Sequence, residues 1–299
     1  MATATEKAFP SRICNLCGEP TPMDALFRKG SYSIVRCKAC SLVYSHEVPT
    51  PAELEKIYSE SFFMVGEKFT GESKSPSFVN ARQRVKELLS LPGLGTNRWL
   101  DVGCATGEFV LAAEPYVAEV KGVEMSPYAA ERARARGISN VTQGDFLEVD
   151  LDPRGFDVVC MWDFIEHVPD PAANLRKAFD ILNTGGHLVL TTGDVESVVA
   201  RLMGRYWHLM IPPRHLYFFS PETMGRMLKK AGFGSVSITR PGKRVPLDFA
   251  AWKLTNLLLP AVSPVALRLS RSLRLGRIAP FVNLFDIMTI HARKTGDHG

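Results

Sequence analysis

The 299-residue chain has no uninterrupted run of about eighteen apolar residues, the length a spanning helix needs. Its first residues, MATATEKAFPSR, lack the apolar core of a signal peptide, so a cytoplasmic location is expected. No internal repeat is present, which excludes a solenoid. A strong charge imbalance is missing as well. The 36 basic and 31 acidic residues leave a formal charge of +5, which suits an anionic substrate, a membrane surface or RNA but is small for a dedicated nucleic-acid binder. With 45% hydrophobic and 22% charged residues, the chain can bury a sizeable core as one large domain, or as a large domain plus a small one.

Cysteine is scarce, and four of the six are clustered. Cys14-x2-Cys17 and Cys37-x2-Cys40, nineteen residues apart, have the spacing of a four-thiolate zinc ribbon, with Gly18 suiting a tight turn after the first pair. Four thiolates fill a tetrahedron, so the expected zinc is structural. Composition then divides the chain into a ribbon module over 1–45, a linker or lid segment over 46–78 and a large domain over 79–299. In the large domain, helical and strand patterns alternate: RWLDVG, EVKGVEM, NVTQGDF, FDVVCMWDF, HLVLTTG and GSVSITR read as strands between amphipathic helices. That rhythm predicts an α/β fold with a doubly wound, largely parallel sheet. A Leu- and Arg-rich helical insert, about 241–285, interrupts it before a last strand, IMTIHARK.

The G-x-G-x-x-G dinucleotide fingerprint is also absent. In its place stands WLDVGCATGEF, where Asp101 ends the first strand and Gly103 and Gly107 enclose Cys104, Ala105 and Thr106. An acid there repels a pyrophosphate and favours an ammonium group. The small residues of the loop let a ligand lie close to the backbone. Glu124, seventeen residues after Gly107 at the next strand tip, is placed to accept hydrogen bonds from a ribose diol. At the third tip, Asp145 offers an acceptor for an exocyclic amine, and Phe146 an aromatic surface for a purine. An amino acid, a ribose and an adenine along successive strand tips describe S-adenosylmethionine.

The ordered set DVGCATGEF, KGVEMS, QGDF, FDVVCMWDFIEHVPDP and GGHLVLTT closely resembles class I S-adenosylmethionine-dependent methyltransferases over about residues 79–240. The resemblance implies a seven-stranded, Rossmann-like sheet with an antiparallel last strand, a backbone contact to adenine near Phe146 and packing of Met125 on the adenosine. Trp162, at the fourth strand tip, is counted with the cofactor-binding residues. A ribbon followed by such a core is similar to bacterial enzymes that methylate sugars and other small metabolites, which implies a small-molecule acceptor. In that group Ile57–Phe63 would form a lid with Tyr58 near the sulfonium; an ordinary core-facing aromatic cluster is the alternative.

Alcohol and carbon nucleophiles usually need a base. His167, next to the fourth strand tip, has the right unperturbed pKa range, and Glu166 could orient its ring. The same stretch resembles ubiquinone-biosynthesis O-methyltransferases, which implies a divalent cation at Asp163, Glu166 and His167, with Asp in place of Glu at the first position. After the fifth strand, RYWHLMIPPRHLYFFS carries Arg214 for an acceptor anion and His215 as the alternative base, with Trp207 and Tyr217 as pocket walls.

Arg268, Arg271, Arg274 and Arg277 recur every third residue in the insert. Residues 250–285 therefore read either as a peripheral membrane contact or as a cap or dimer contact. Two further functional classes are weighed: an RNA base methyltransferase that uses the ribbon for RNA, and a non-catalytic ribbon protein. Against RNA, the fourth strand tip lacks an Asn/Asp-Pro-Pro-aromatic loop, so nucleic acid is not expected as a partner. The sequence leaves the oligomeric state open.

Overall fold

The computed structural model describes residues 13–57, 76–151, 155–258, 262–273, 275 and 278–296. The expected lid beyond Ile57, including Tyr58, lies outside the described residues, as do Arg274 and Arg277.

The chain opens with three short antiparallel strands, β1 (Met23–Lys29), β2 (Tyr32–Cys37) and β3 (Val43–Ser45). Helix α1 (Pro51–Ile57) follows, and Thr50 and Glu53 cap it reciprocally: each side chain accepts from the other's backbone N–H, at 2.7 and 3.3 Å. Helix α2 (Pro76–Leu89) leads into the large sheet.

Strands β4 (Arg98–Val102), β5 (Glu119–Glu124), β6 (Val141–Gln143), β7 (Phe156–Trp162) and β8 (Leu182–Gly193) are linked by α3 (Glu108–Ala113), α4 (Pro127–Ala135) and α5 (Pro171–Ile181). After β8 come α6 (Val198–Met203), the two-residue β9 (Tyr217–Phe218), α7 (Pro221–Ala231) and β10 (Ser235–Thr239). The insert consists of β11 (Lys243–Arg244), α8 (Leu247–Leu258), α9 (Ser263–Ser272) and β12 (Phe281–Val282), and β13 (Ile287–Arg293) closes the fold.

The strand order is β10-β13-β8-β7-β4-β5-β6. The five strands from β8 to the edge strand β6 run parallel, and β13 is antiparallel to both β8 and β10, as the sequence resemblance implied. Alternate residues of β7 enter different cores: Val159 and Met161 belong to one, Val158 and Cys160 to the other. Both faces of the sheet are therefore covered, which explains why its strands read as continuous apolar runs.

Helix starts follow their caps. Ser126, Asp170 and Ser220 each accept a backbone N–H from their helix's first turn, and proline comes next in all three. The end of α5 comes before the Gly185–Gly186 pair. The helix ends at Ile181, and β8 begins at once. Lys294, from the last strand's end, reaches back and donates to the carbonyls of Phe179 and Leu182 at 3.0 Å each, closing the helix end from a distance.

The ribbon is built into this body. Beyond the compositional boundary near residue 45, β3 pairs with β9, setting Val43 opposite Phe218 and Tyr44 opposite Tyr217 in the sheet β1-β2-β3-β9. Leu16, Leu42 and Tyr44 share one core with Val159 and Leu190 of the large sheet.

Candidate active site

The loop from β4 into α3 turns at three left-handed residues, Gly103 (φ 72°), Ala105 (φ 48°) and Gly107 (φ 83°). A Cβ at Gly103 would come 2.7 Å from the Phe164 ring, and one at Gly107 would collide with Ile138, so both positions need glycine. Helix α3 is short: it ends at Ala113, and Glu114–Tyr116 lie beyond it. Cys104 is buried against Gly122 of β5, and Arg136 braces the loop from α4 by donating to the carbonyl of Thr106 at 2.6 Å.

Glu124 points into this loop. Its carboxylate accepts from the N–H of Ala105 at 2.9 Å and of Ser126 at 2.8 Å, one bond on each oxygen. Four lone-pair sites exist on a carboxylate, so each oxygen retains capacity for a hydroxyl. The N–H of Ala105, within the loop whose small residues allow close backbone approach, holds Glu124 in place.

Asp101 is almost fully buried at the tip of β4, and its Oδ1 has no protein partner. Burial pushes its carboxyl well above the usual range; Arg84 opposes this, while Glu124 and Glu108 add to it. Burial raises Glu124 too. Two buried acids at adjacent strand tips are the environment an ammonium or sulfonium cation would relieve. Trp162 ends β7, beside β4. Its Nε1 is buried without a partner, its ring lies 5.2 Å from Phe109, and the Arg84 guanidinium covers it at 4.5 Å. Among the described residues five buried side-chain polar atoms lack a partner, and three of them are Asp101 Oδ1, Trp162 Nε1 and Glu166 Oε2. Buried polar atoms are normally satisfied, so this concentration marks a place for a ligand.

At the third tip the residues divide. Asp145 is exposed, with Oδ1 accepting from the N–H of Leu147, and Met125 is exposed at the end of β5. The Phe146 ring, expected as an aromatic platform, is turned inwards: it is buried in the main core with the Lys177 ammonium 5.2 Å from its centroid.

The turn after β7 carries the chemistry-bearing groups. Asp163 has a left-handed backbone (φ 52°) that turns its side chain to Thr191, whose hydroxyl donates at 3.1 Å, and to Arg84 at 3.3 Å. Burial pushes its carboxyl up, but Arg84 and Lys243 outweigh this and hold it below the ordinary value. Asp163 is thereby drawn out of the set expected for a cation. The groups that do converge are Glu166, His167 and His215, whose ligand atoms lie within 4.8 Å of one another. Glu166 is buried, and its pKa is raised to about 8 by burial and by the nearby Asp163. His167 Nδ1 lies 2.9 Å from the Arg214 carbonyl. A carbonyl only accepts, so Nδ1 carries the proton and Nε2 is the basic nitrogen. Burial lowers the His167 pKa, and the bond to that carbonyl opposes the shift.

The other aromatic candidates are structural. Trp207 is fully buried and donates to Asp286 at 2.9 Å, and Tyr217 is buried with its hydroxyl on the carbonyl of Pro169. Neither lines an open pocket as expected. Arg214 is exposed. Sequence reasoning missed Arg84; the only signal was a basic residue on the buried side of the helix preceding the first strand.

At the ribbon, the four thiols converge. Cys14 and Cys40 sulfurs are 3.6 Å apart, and those of Cys17 and Cys37 3.8 Å. The N–H groups of Leu16 and Cys17 bond to the Cys14 sulfur, and that of Leu42 to the Cys40 sulfur. The residue after each second cysteine, Gly18 (φ 81°) and Ser41 (φ 64°), is left-handed, so the two turns are alike although only the first carries glycine.

Residues 77–238, more than half of the chain, match the family model described as a methyltransferase domain. The chain belongs to that family. It is an S-adenosylmethionine-dependent methyltransferase with a class I fold and an N-terminal four-cysteine cluster. Over 173 residues it is 27% identical to a ubiquinone biosynthesis O-methyltransferase of Alkalilimnicola ehrlichii, covering 54% of this chain and 70% of that protein. Over 201 residues it is 25% identical to the enzyme of the same name from Aliivibrio fischeri, covering 63% and 85%. Among solved structures, a SAM-dependent methyltransferase of Archaeoglobus fulgidus aligns with a TM-score of 0.53 at 23% identity, over 79% of this chain and all of the other. A phosphoethanolamine N-methyltransferase of Haemonchus contortus aligns at 0.55 and 15% identity, over 90% and 71%. These structural likenesses concern the fold. The methyltransferase's catalytic nature removes the non-catalytic alternative.

Proposed function

We propose that this enzyme methylates an oxygen atom of a small-molecule acceptor, with His167 as general base. The observation that supports this reading is the 2.9 Å contact of His167 Nδ1 with the Arg214 carbonyl, which leaves Nε2 as the basic nitrogen. S-adenosylmethionine supplies an electrophilic methyl carbon when bound. Asp101 is suited to its ammonium group and Glu124 to its ribose diol, Gly103–Gly107 give backbone approach, and the backbone at Asp145–Phe146 with Met125 flanks the purine. Arg84 and Trp162 cover the strand tips and keep water out. His167 Nε2 takes the proton from the acceptor hydroxyl as the oxygen gains its methyl group. The likeness to ubiquinone biosynthesis O-methyltransferases supports an oxygen nucleophile.

The four cysteines fit a zinc ion. A tetrahedron with bonds of about 2.3 Å has edges of about 3.8 Å, close to the observed sulfur separations, and the backbone N–H bonds stabilise thiolates. That site has no open position and would act on structure alone. A second reading of the catalytic cluster, favoured by the unpartnered Glu166 Oε2, is a divalent cation held by Glu166, His167 and His215 and polarising the acceptor oxygen.

Incubation with methyl-labelled donor and fractionated metabolites tests the assignment. Label in an ether-linked methyl group of a small molecule supports it, label on carbon or in RNA overturns it, and loss of turnover on chelation with recovery on adding Mg²⁺ favours the cation reading.

A further inference from the structure

The insert presents an inverted helix. Val262, Val265, Leu269 and Leu273 follow the spacing of one helical face, and that face is open to solvent: Val265, Leu269 and Leu273 are 62%, 60% and 62% exposed, whereas Ser270 on another face of α9 is buried. Helix α9 packs on α8. Ile278 and Phe281, further along the insert, are exposed as well. An apolar face of this size needs an occupant.

Charge identifies it. Between Asp248 and Asp286 there is no acidic residue, while Lys253 and the four arginines give the segment a formal charge of +5. The remainder of the chain is neutral, with 31 basic residues against 31 acidic ones, so the protein's whole charge excess resides here. A two-fold contact with a second copy would bring five positive charges against five with no acid from the segment to compensate them. A surface of negative headgroups over hydrocarbon complements both features at once.

The stem of the insert borders the active site. Asn80 of α2 accepts from the N–H of Arg244 at 3.0 Å and donates to its carbonyl at 3.1 Å, tying β11 to the helix whose Arg84 covers Trp162. Lys243, next in sequence, is close enough for its charge to lower the pKa values of both Asp163 and Glu166.

We infer that the exposed face of α9, with the exposed Arg268 beside it, docks on a bilayer surface carrying anionic lipid headgroups. Resting on the methyl-transfer reading above, this places the acceptor site beside the membrane and suits an amphipathic acceptor held there.

The test is co-sedimentation of the full chain with vesicles of phosphatidylcholine alone or with about 30% phosphatidylglycerol. Binding is expected to the anionic vesicles only, weakening at least about tenfold between about 0.05 and 0.5 M salt. Leu269→Asp should reduce it at least about tenfold, and Arg268→Ala about fivefold, both with unchanged S-adenosylmethionine affinity by calorimetry. No binding, or equal binding to both vesicle types, overturns the inference. So does a dimer in sedimentation velocity that L269D dissolves without any vesicle binding. Loss of donor binding by the unmodified chain would instead sink the methyl-transfer reading and leave the vesicle result standing.

Discussion

His167 and His215 meet edge to face, with ring centroids 4.7 Å apart and planes at 89°. The first comes from the turn after β7, the second from the loop before β9. The carbonyl that orients His167 belongs to Arg214, the residue before His215, so one piece of backbone sets both rings. Leu216 continues the link, its N–H donating to the carbonyl of Glu166 at 2.8 Å.

His167→Ala should therefore lower kcat by about 10²- to 10⁴-fold with little change in donor affinity, as loss of a general base does. Because burial lowers the His167 pKa from 6.5, the acid limb of kcat/KM should titrate below that value. His215→Ala should give a smaller loss. If both variants keep full rate under saturating acceptor, neither ring is the base.

Glu166 makes stability depend on pH in an unusual direction. Its pKa rises from 4.5 unfolded to about 8 folded, so the native state binds the extra proton between those values. The contribution is complete below about pH 4.5 and is lost as pH rises towards 8. In chelator-treated protein, the Tm of Glu166→Gln should overtake that of the unmodified chain across this interval. Parallel Tm profiles would show that the carboxyl is ionised in the fold.

Glu124→Ala should abolish measurable donor binding in calorimetry, with affinity at least about 100-fold weaker, since the N–H of Ala105 loses its acceptor and the loop its anchor. Stability should fall by about 2 kcal/mol through the two orphaned N–H groups. Unchanged affinity would show that the diol binds elsewhere.

Cys14→Ser should release the proposed zinc and be felt at the catalytic loop. Ser45 donates to the carbonyl of Leu216 at 2.8 Å, and β3 pairs with β9 directly after His215. Hydrogen exchange should accelerate at residues 216–219 while amides of β4 and β7 stay protected. If only the ribbon loses protection, it does not support that loop.

The sheet was legible because parallel strands buried on both faces leave uninterrupted apolar runs. The residues proposed for the donor cradle were brought to neighbouring strand ends for a related reason: their order in the chain follows the succession of parallel strands. The catalytic cluster was legible only in part. Neighbourhood in sequence joined Asp163 to His167, yet a left-handed backbone turned Asp163 towards Arg84 and Thr191, and His215 arrived from another loop. Nothing local marks β9, whose two residues are strand only because β3 lies beside them. Phe146 failed as a platform because its position at a strand tip does not say which way its ring turns.

The place of β13 governs when this protein can become itself during synthesis. It lies between β8 and β10, hydrogen-bonded to both, although it is the last of the sheet's strands in chain order. Until Ile287–Arg293 emerges, the buried apolar strand β8 has one edge unpaired and β10 has no partner strand, so both are open to any passing strand. A nascent chain halted before Ile287 would hold every residue of the proposed donor cradle and still be a candidate for aggregation.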